Sequence, residues 1–137
     1  MGKRPASLRH LRGSGQVGSD KPRKYKNIKV VYDGRFFDSQ RERDRYIELK
    51  LLEEAGEISK LRCQPKYKLR CGGTPVKIRS KGYPNGRTAT YSADFRYVDE
   101  ASGKMVVEDV KGYDTPRSRL KRAMIEAEYG FQVVLVR

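Results

Sequence analysis

The sequence has no tryptophan, one histidine and two cysteines in 137 residues, and each scarcity removes a class of chemistry. Cys63 and Cys71 are too few for a disulfide scaffold and lack the CxxC spacing of a structural zinc site, so they read as bystanders. His10 lies in a polar N-terminal stretch, where a solvated role outweighs a catalytic one. No run approaches the roughly 20 apolar residues of a membrane-spanning helix, and the first residues lack the apolar stretch of a secretory signal; a cytoplasmic location is expected. Acidic residues are also scarce. Seventeen Asp and Glu stand against 31 Lys and Arg, a formal charge of +14, which points to a polyanionic partner rather than a small metabolite.

Hydrophobic residues make up 36% of the chain, enough for a modest core that draws on nine tyrosines and four phenylalanines. The length fits one domain. Residues 1–27 hold eight Lys or Arg and one Asp among Gly, Ser and Pro, with little to bury, and read as a basic, disordered tail. Residues 28–137 form the expected single folded domain, itself still basic. Both parts can touch phosphate.

From Ile28 to Phe37 apolar residues alternate around Asp33-Gly34, a type I′ turn dipeptide, and predict a hairpin. Asp38 or Ser39 then caps a helix whose apolar positions Tyr46, Ile47, Leu49, Leu51, Leu52 and Ala55 recur at helical spacing up to Gly56. Ile58, Leu61, Cys63, Tyr67 and Leu69 suggest extended chain with a bend at Pro65. Residues 71–87, rich in Gly, Lys and Arg, read as a loop. Thr88 to Val98 reads as one strand, with Ala89, Tyr91, Ala93, Phe95 and Tyr97 on one face and Thr90, Ser92, Asp94 and Arg96 on the other. KMVVEDVKG follows as its hairpin partner, with Asp109 and Lys111 on one face and Glu108 on the other. Thr115-Pro116 opens a second helix with the stripe Leu120, Ala123, Met124 and Ala127, ending at Gly130, and FQVVLV reads as a buried strand. Strand, helix and strand in succession imply a right-handed crossover to a parallel neighbour. The expected fold class is therefore α/β, with a mixed central sheet flanked by helices.

Two neighbouring strands thus deliver Asp94, Asp109 and Lys111. Paired carboxylates repel unless a cation sits between them, and a hard divalent ion such as Mg²⁺ suits carboxylate and carbonyl oxygens. A lysine two residues after Asp109 can orient a water and stabilise charge developing on phosphate. The pattern predicts phosphodiester hydrolysis.

The segments FDSQRERDRYIELKLLEEAGEI, LRCQPKY, YSADFRYV and VVEDVKGY resemble the PD-(D/E)xK nuclease superfamily, and within it phage-encoded and archaeal-type Holliday-junction resolvases. The resemblance spans about residues 24–137. It implies a restriction-endonuclease-like core in the order α-β-β-β-α-β. Asp94 matches the superfamily's first aspartate, Asp109 its second acidic position, Lys111 its lysine and Glu42 the glutamate of the first helix. Glu42, Asp94 and Asp109, with the carbonyl of Val110, are the implied metal ligands. Ala93 precedes Asp94 where the family has proline, and Asp stands at 109 where Glu is commoner. The implied activity is a Mg²⁺-dependent endodeoxyribonuclease, with Mn²⁺ a possible substitute, resolving four-way DNA junctions by paired nicks in recombination and repair. A homodimer is implied by the two-fold symmetry of the junction, with Tyr, Phe and Val residues near the C-terminal strand as its expected surface.

Blander roles compete. Glu42 stands three residues after Ser39 and can complete a capping box. Asp94 can be a polar residue on a solvated strand face, and Glu108 would replace Asp109 if the register slipped by one. Gln64 either approaches the site or simply precedes a bend. Arg23, Lys24, Lys26, Ser39, Gln64, Lys77, Arg79, Lys81, Arg117 and Arg119 are the candidate DNA contacts, joined by Lys121 and Arg122; the cations among them suit phosphate regardless of sequence. The alternatives to a resolvase are a nicking or restriction-like endonuclease on duplex DNA, and a non-catalytic basic nucleic-acid-binding protein.

Overall fold

The computed structural model describes residues 28–137; His10, the expected disorder of the tail and the candidate contacts Arg23, Lys24 and Lys26 lie outside the described residues. Asp33 and Gly34 both adopt positive φ, 52° and 67°, so a two-residue turn joins β1 (Val30–Tyr32) to β2 (Arg35–Phe37) as the dipeptide predicts. Ser39 caps α1 (Gln40–Glu54), its hydroxyl accepting from the Glu42 N–H at 3.2 Å. Tyr46 and Leu49 turn inward, but Leu51 is 61% exposed and Ala55 is also exposed, so the apolar stripe of this helix is narrower than its sequence suggests.

One four-stranded sheet in the order β12-β11-β10-β3 carries the fold. β3 (Ile58–Cys63), β10 (Phe95–Asp99) and β11 (Met105–Val110) are antiparallel neighbours. β11 and β12 (Val133–Val136) run parallel, joined across α2 (Pro116–Tyr129). This is the mixed α/β arrangement expected, with a helix on each face. On one face Phe37, Tyr46, Leu49, Ile58, Phe95 and Tyr97 pack with α1. On the other, Tyr91, Ala93, Val107 and Val133 pack against Ile125 of α2.

Four expectations need correction. The presumed strand 88–98 is two strands, β9 (Thr90–Ser92) and β10, separated at Ala93-Asp94. β9 pairs with β4 (Lys66–Lys68), whereas β10 pairs with β3, and the segment β3–β4 breaks at the same level, where Gln64 adopts φ 53°. The two breaks stay bonded, Gln64 N–H donating to the Asp94 carbonyl at 2.8 Å and Ala93 N–H to the Pro65 carbonyl at 3.0 Å. Across this double kink the side chains change face, so Tyr91 and Ala93 face α2 while Phe95 and Tyr97 face α1. Strict alternation in sequence conceals such a kink because it assumes an unbroken pleat.

The region 71–87 is not a loop but most of two small hairpins. β5 (Arg70–Cys71) and β6 (Thr74–Pro75) are joined by Gly72 and Gly73 at φ 58° and 81°, and β7 (Lys77–Ser80) pairs with β8 (Tyr83–Thr88). Gly-Gly was the available hairpin signal.

The second helix is capped by Thr115 and ends at Gly130 as expected, and Met124 of its stripe packs on the core, yet it buries Arg122 and Ile125 while Leu120 is 63% exposed and Ala123 and Ala127 are also exposed. A guanidinium can take a buried position because Asp114 accepts from it at 2.6 and 3.1 Å. β12, expected to be buried, buries Val133 and half-buries Leu135 and Val136, but it is a sheet edge with Val134 48% exposed.

Candidate active site

The kink that splits β9 from β10 sets Asp94 beside the end of β11. There its Oδ2 accepts from the Val110 N–H at 2.6 Å, while the Asp94 N–H donates to the Glu108 carbonyl at 3.0 Å. Asp109 is buried on the α2 face of β11. Its Oδ2 accepts from the Tyr91 hydroxyl and lies 3.2 Å from Lys111 Nζ. The lysine is held in turn by Ser118 Oγ of α2 at 3.0 Å. Glu42, one residue-turn into α1, is buried and points into the same space.

Glu42, Asp94, Asp109, Val110 and Lys111 therefore line one cleft of about 770 Å³, together with Asp38, Ser39, Arg41, Ser92 and Tyr113. Four carboxylates meet two cationic side chains there, and the imbalance shows in the protonation of the cluster. The Asp94 carboxyl is pushed up to about 9, first by burial, then by its hydrogen bond to Asp109 and the charges of Glu42 and Asp109, against the lowering effect of the Val110 N–H. Glu42 is raised as well, by burial and by the charge of Asp38. The Tyr91 hydroxyl is raised by burial and by its bond to Asp109, which keeps it a donor.

The donor set is hard oxygen throughout, the kind that Mg²⁺ takes. As they stand, no three His, Cys, Asp or Glu side chains among the described residues are gathered closely enough to hold an ion. The carboxylates are thus hard oxygen donors in one cleft and not a finished cage.

Glu108 turns the opposite way, as its alternation with Asp109 predicts. Arg45 of α1 donates to it through Nε at 2.9 Å and Nη2 at 2.6 Å, and Tyr97 Oη donates at 2.6 Å. The register does not slip, and Glu108 does not line the cleft. Ser39 does, although its hydroxyl is engaged as the helix cap.

The other predicted contacts stand apart from the cleft. Gln64 is exposed at the kink, and Lys77, Arg79 and Lys81 lie exposed along the β7–β8 hairpin. Arg117 and Arg119 are exposed in the first turns of α2, but Lys121 donates to the Thr90 carbonyl at 3.2 Å and Arg122 is committed to Asp114, so Arg122 is not a phosphate contact. Sequence reasoning missed Tyr91 and Ser118, which position Asp109 and Lys111. Tyr91 could have been found from its place three residues before Asp94, but only with the kink known.

Residues 22–135 match the protein family described as "Protein of unknown function (DUF1064)". No curated protein and no solved structure matches the chain. Among the described residues no helix is long and apolar enough to cross a membrane.

Proposed function

The chain belongs to the DUF1064 family, and from its own geometry we propose that it is a metal-dependent, structure-selective endodeoxyribonuclease that resolves four-way DNA junctions. The observation that carries this reading is the convergence of Glu42, Asp94, Asp109 and Lys111, from a helix, the kink between β9 and β10, strand β11 and the residue just past its end, on one cleft in a strongly basic protein. Carboxylates without a basic surround would repel DNA, and a basic surface without carboxylates would only bind it.

Glu42, Asp94 and Asp109, with Val110, would hold Mg²⁺ or Mn²⁺, which supplies charge neutralisation at phosphate and an activated water when bound. Lys111, fixed by Asp109 and Ser118, presents an ammonium to a scissile phosphate and stabilises the charge that develops on it. Tyr91 holds Asp109 by a donated proton, which keeps the carboxylate oriented. The α-β-β-β-α-β order, with the hairpins β5–β6 and β7–β8 inserted, supports a restriction-endonuclease-like core. A junction-cutting enzyme needs two sites facing opposed strands, so the active unit is a homodimer, and the exposed edge strand β12 is the surface that fits a second copy. Its place is the cytoplasm, that of the host if the protein is phage-encoded.

The test is incubation of the protein with a synthetic four-way junction and Mg²⁺. Paired nicks on opposite arms are expected, with Asp94→Asn and Asp109→Asn binding the junction but not cutting it. Equal cutting of matched linear duplex would turn the reading to a nicking or restriction-like endonuclease. Unchanged cutting by both variants would remove the active-site assignment, and binding with no cutting under any divalent ion would leave a basic DNA-binding protein.

A further inference from the structure

Between residues 64 and 93 the chain carries seven Lys or Arg and no Asp or Glu, although acids are spread through the rest of it. Much of this segment is the β7–β8 hairpin, a two-stranded ribbon that pairs with no other strand and is exposed at nearly every position. Its pairing sorts the side chains by face. Ile78 opposes Arg87 and Lys77 opposes Thr88, so Ile78 and Arg87 share a face that Lys77 does not, and the register shifts after Ile78 before Ser80 meets Tyr83. The Arg87 guanidinium lies over the Tyr83 ring, 5.4 Å from its centroid. Ile78 is 48% exposed and Tyr83 51% exposed, which serves no core in this chain.

Exposed apolar side chains on a ribbon this small oppose its solubility and do not stabilise it. Beside a polyanion they acquire a use, since an aromatic ring and an aliphatic wedge are what proteins set against unstacked bases. The ribbon also leads into the site: β8 ends at Thr88, and β9 follows into Asp94. Tyr83 lies eleven residues before Asp94, a contour of at most roughly 36 Å and so about one duplex turn. One DNA molecule can reach both.

We propose that the β7–β8 hairpin recognises a break in base stacking, with Tyr83 and Ile78 packing on an exposed base while Lys77 and Arg79, with Lys81 at the tip, hold the neighbouring phosphates. The inference rests on the reading of DNA as substrate and names what in that DNA is selected. Arg87, over the Tyr83 ring, adds a cation beside the packed base.

The experiment measures binding without cutting, using the full chain carrying Asp109→Asn, against three probes: a duplex with an unpaired gap marked by 2-aminopurine, the same duplex intact, and heparin as a polyanion without bases. The parent is expected to prefer the gapped duplex and to quench its 2-aminopurine. Tyr83→Ala should lower that preference by about 5- to 100-fold and abolish the quenching, Tyr83→Phe should retain both, and heparin binding should be unaffected by either. Lys77→Ala with Arg79→Ala should weaken all three probes and flatten the salt dependence. If Tyr83→Ala weakens gapped and intact duplex equally, or weakens heparin as much, the hairpin is a charge contact only and the inference is overturned. If the stacking signature appears but the unsubstituted chain cuts nothing, the nuclease reading falls and the hairpin stands; cutting without any effect of Tyr83 gives the reverse.

Discussion

Glu108 and Asp109 are neighbours on one strand, and both are buried, yet they live in opposite electrostatic settings. Glu108 has a full counter-charge and three hydrogen bonds, two from Arg45 and one from Tyr97, and it binds α1 to the sheet. Tyr97 answers to it, its hydroxyl pushed up to about 12 by burial and by the bond to Glu108. Asp109 has Lys111 at 3.2 Å and the Tyr91 hydroxyl, but it faces a cleft where carboxylates outnumber cations and where burial and the neighbouring acids push the Asp94 carboxyl up to about 9. A buried carboxylate that serves the fold is satisfied within the chain. A group of carboxylates that outnumbers its cations, in a cleft open to solvent, keeps its excess negative charge on the surface instead of neutralising it within the fold. Arg45 lies one helical turn after Glu42, so the Arg45–Glu108 strut ties the turn of α1 that carries Glu42 to the strand that carries Asp109.

The largest effect that would break this contrast is catalytic. Asp109→Asn is expected to lower junction cutting by about 10³-fold while leaving the thermal midpoint close to that of the parent. A large drop in midpoint would place Asp109 with the structural carboxylates. Glu108→Ala should do the opposite. It strands Arg45 and the Tyr97 hydroxyl and costs about 3 kcal/mol of stability in denaturant unfolding, below the upper range for buried pairs because Arg45 also reaches Glu48 at 2.8 Å. The double change Arg45→Met with Glu108→Leu removes both charges and should recover most of that loss. If it restores stability but not cutting, the strut positions Glu42 as argued.

A smaller effect separates the two settings by pH. A carboxyl whose pKa rises on folding favours the folded state below its unfolded value and loses that advantage as pH climbs through the folded one. For Asp94 that window runs from 3.8 to about 9, and Glu42 acts in the same direction. The metal-free protein should therefore lose stability steadily from about pH 4 to pH 9. Asp94→Asn should flatten the slope, and so should saturating Mg²⁺ on the parent. An identical slope in parent and variant, measured by melting in chelator, would mean that Asp94 carries no excess proton.

How much of this was legible beforehand follows from the range of each signal. Local signals held: Asp33-Gly34 makes its turn, Ser39 and Thr115 cap their helices, and the opposition of Glu108 to Asp109 follows from strand alternation alone. Signals that depend on partners failed. Tyr91 and Phe95 look like one face until β4 and β3 pull their strands apart at Gln64 and Asp94. Arg122 looks solvent-facing until Asp114 is brought against it, and of the expected apolar stripe of α2 only Met124 packs on the core. Glu42, Asp94, Asp109, Val110 and Lys111 were named from sequence, but Arg41 and Tyr113 beside them were not, and the groups that orient them, Tyr91 and Ser118, sit across tertiary contacts that no spacing encodes.

Ser39 tests the contrast at its finest, since it lines the cleft and caps the helix at once. If its role is the cap, Ser39→Ala lowers stability by about 1 kcal/mol, and Ser39→Asp, which also caps, restores it. Cutting should then follow stability in the alanine variant but not in the aspartate variant. The added carboxylate would enter a cleft already short of positive charge, and it should weaken DNA binding while the helix is sound. Normal binding by Ser39→Asp would show that position 39 faces away from DNA and belongs wholly to the fold; weaker binding by Ser39→Ala at full stability would make its hydroxyl a DNA contact.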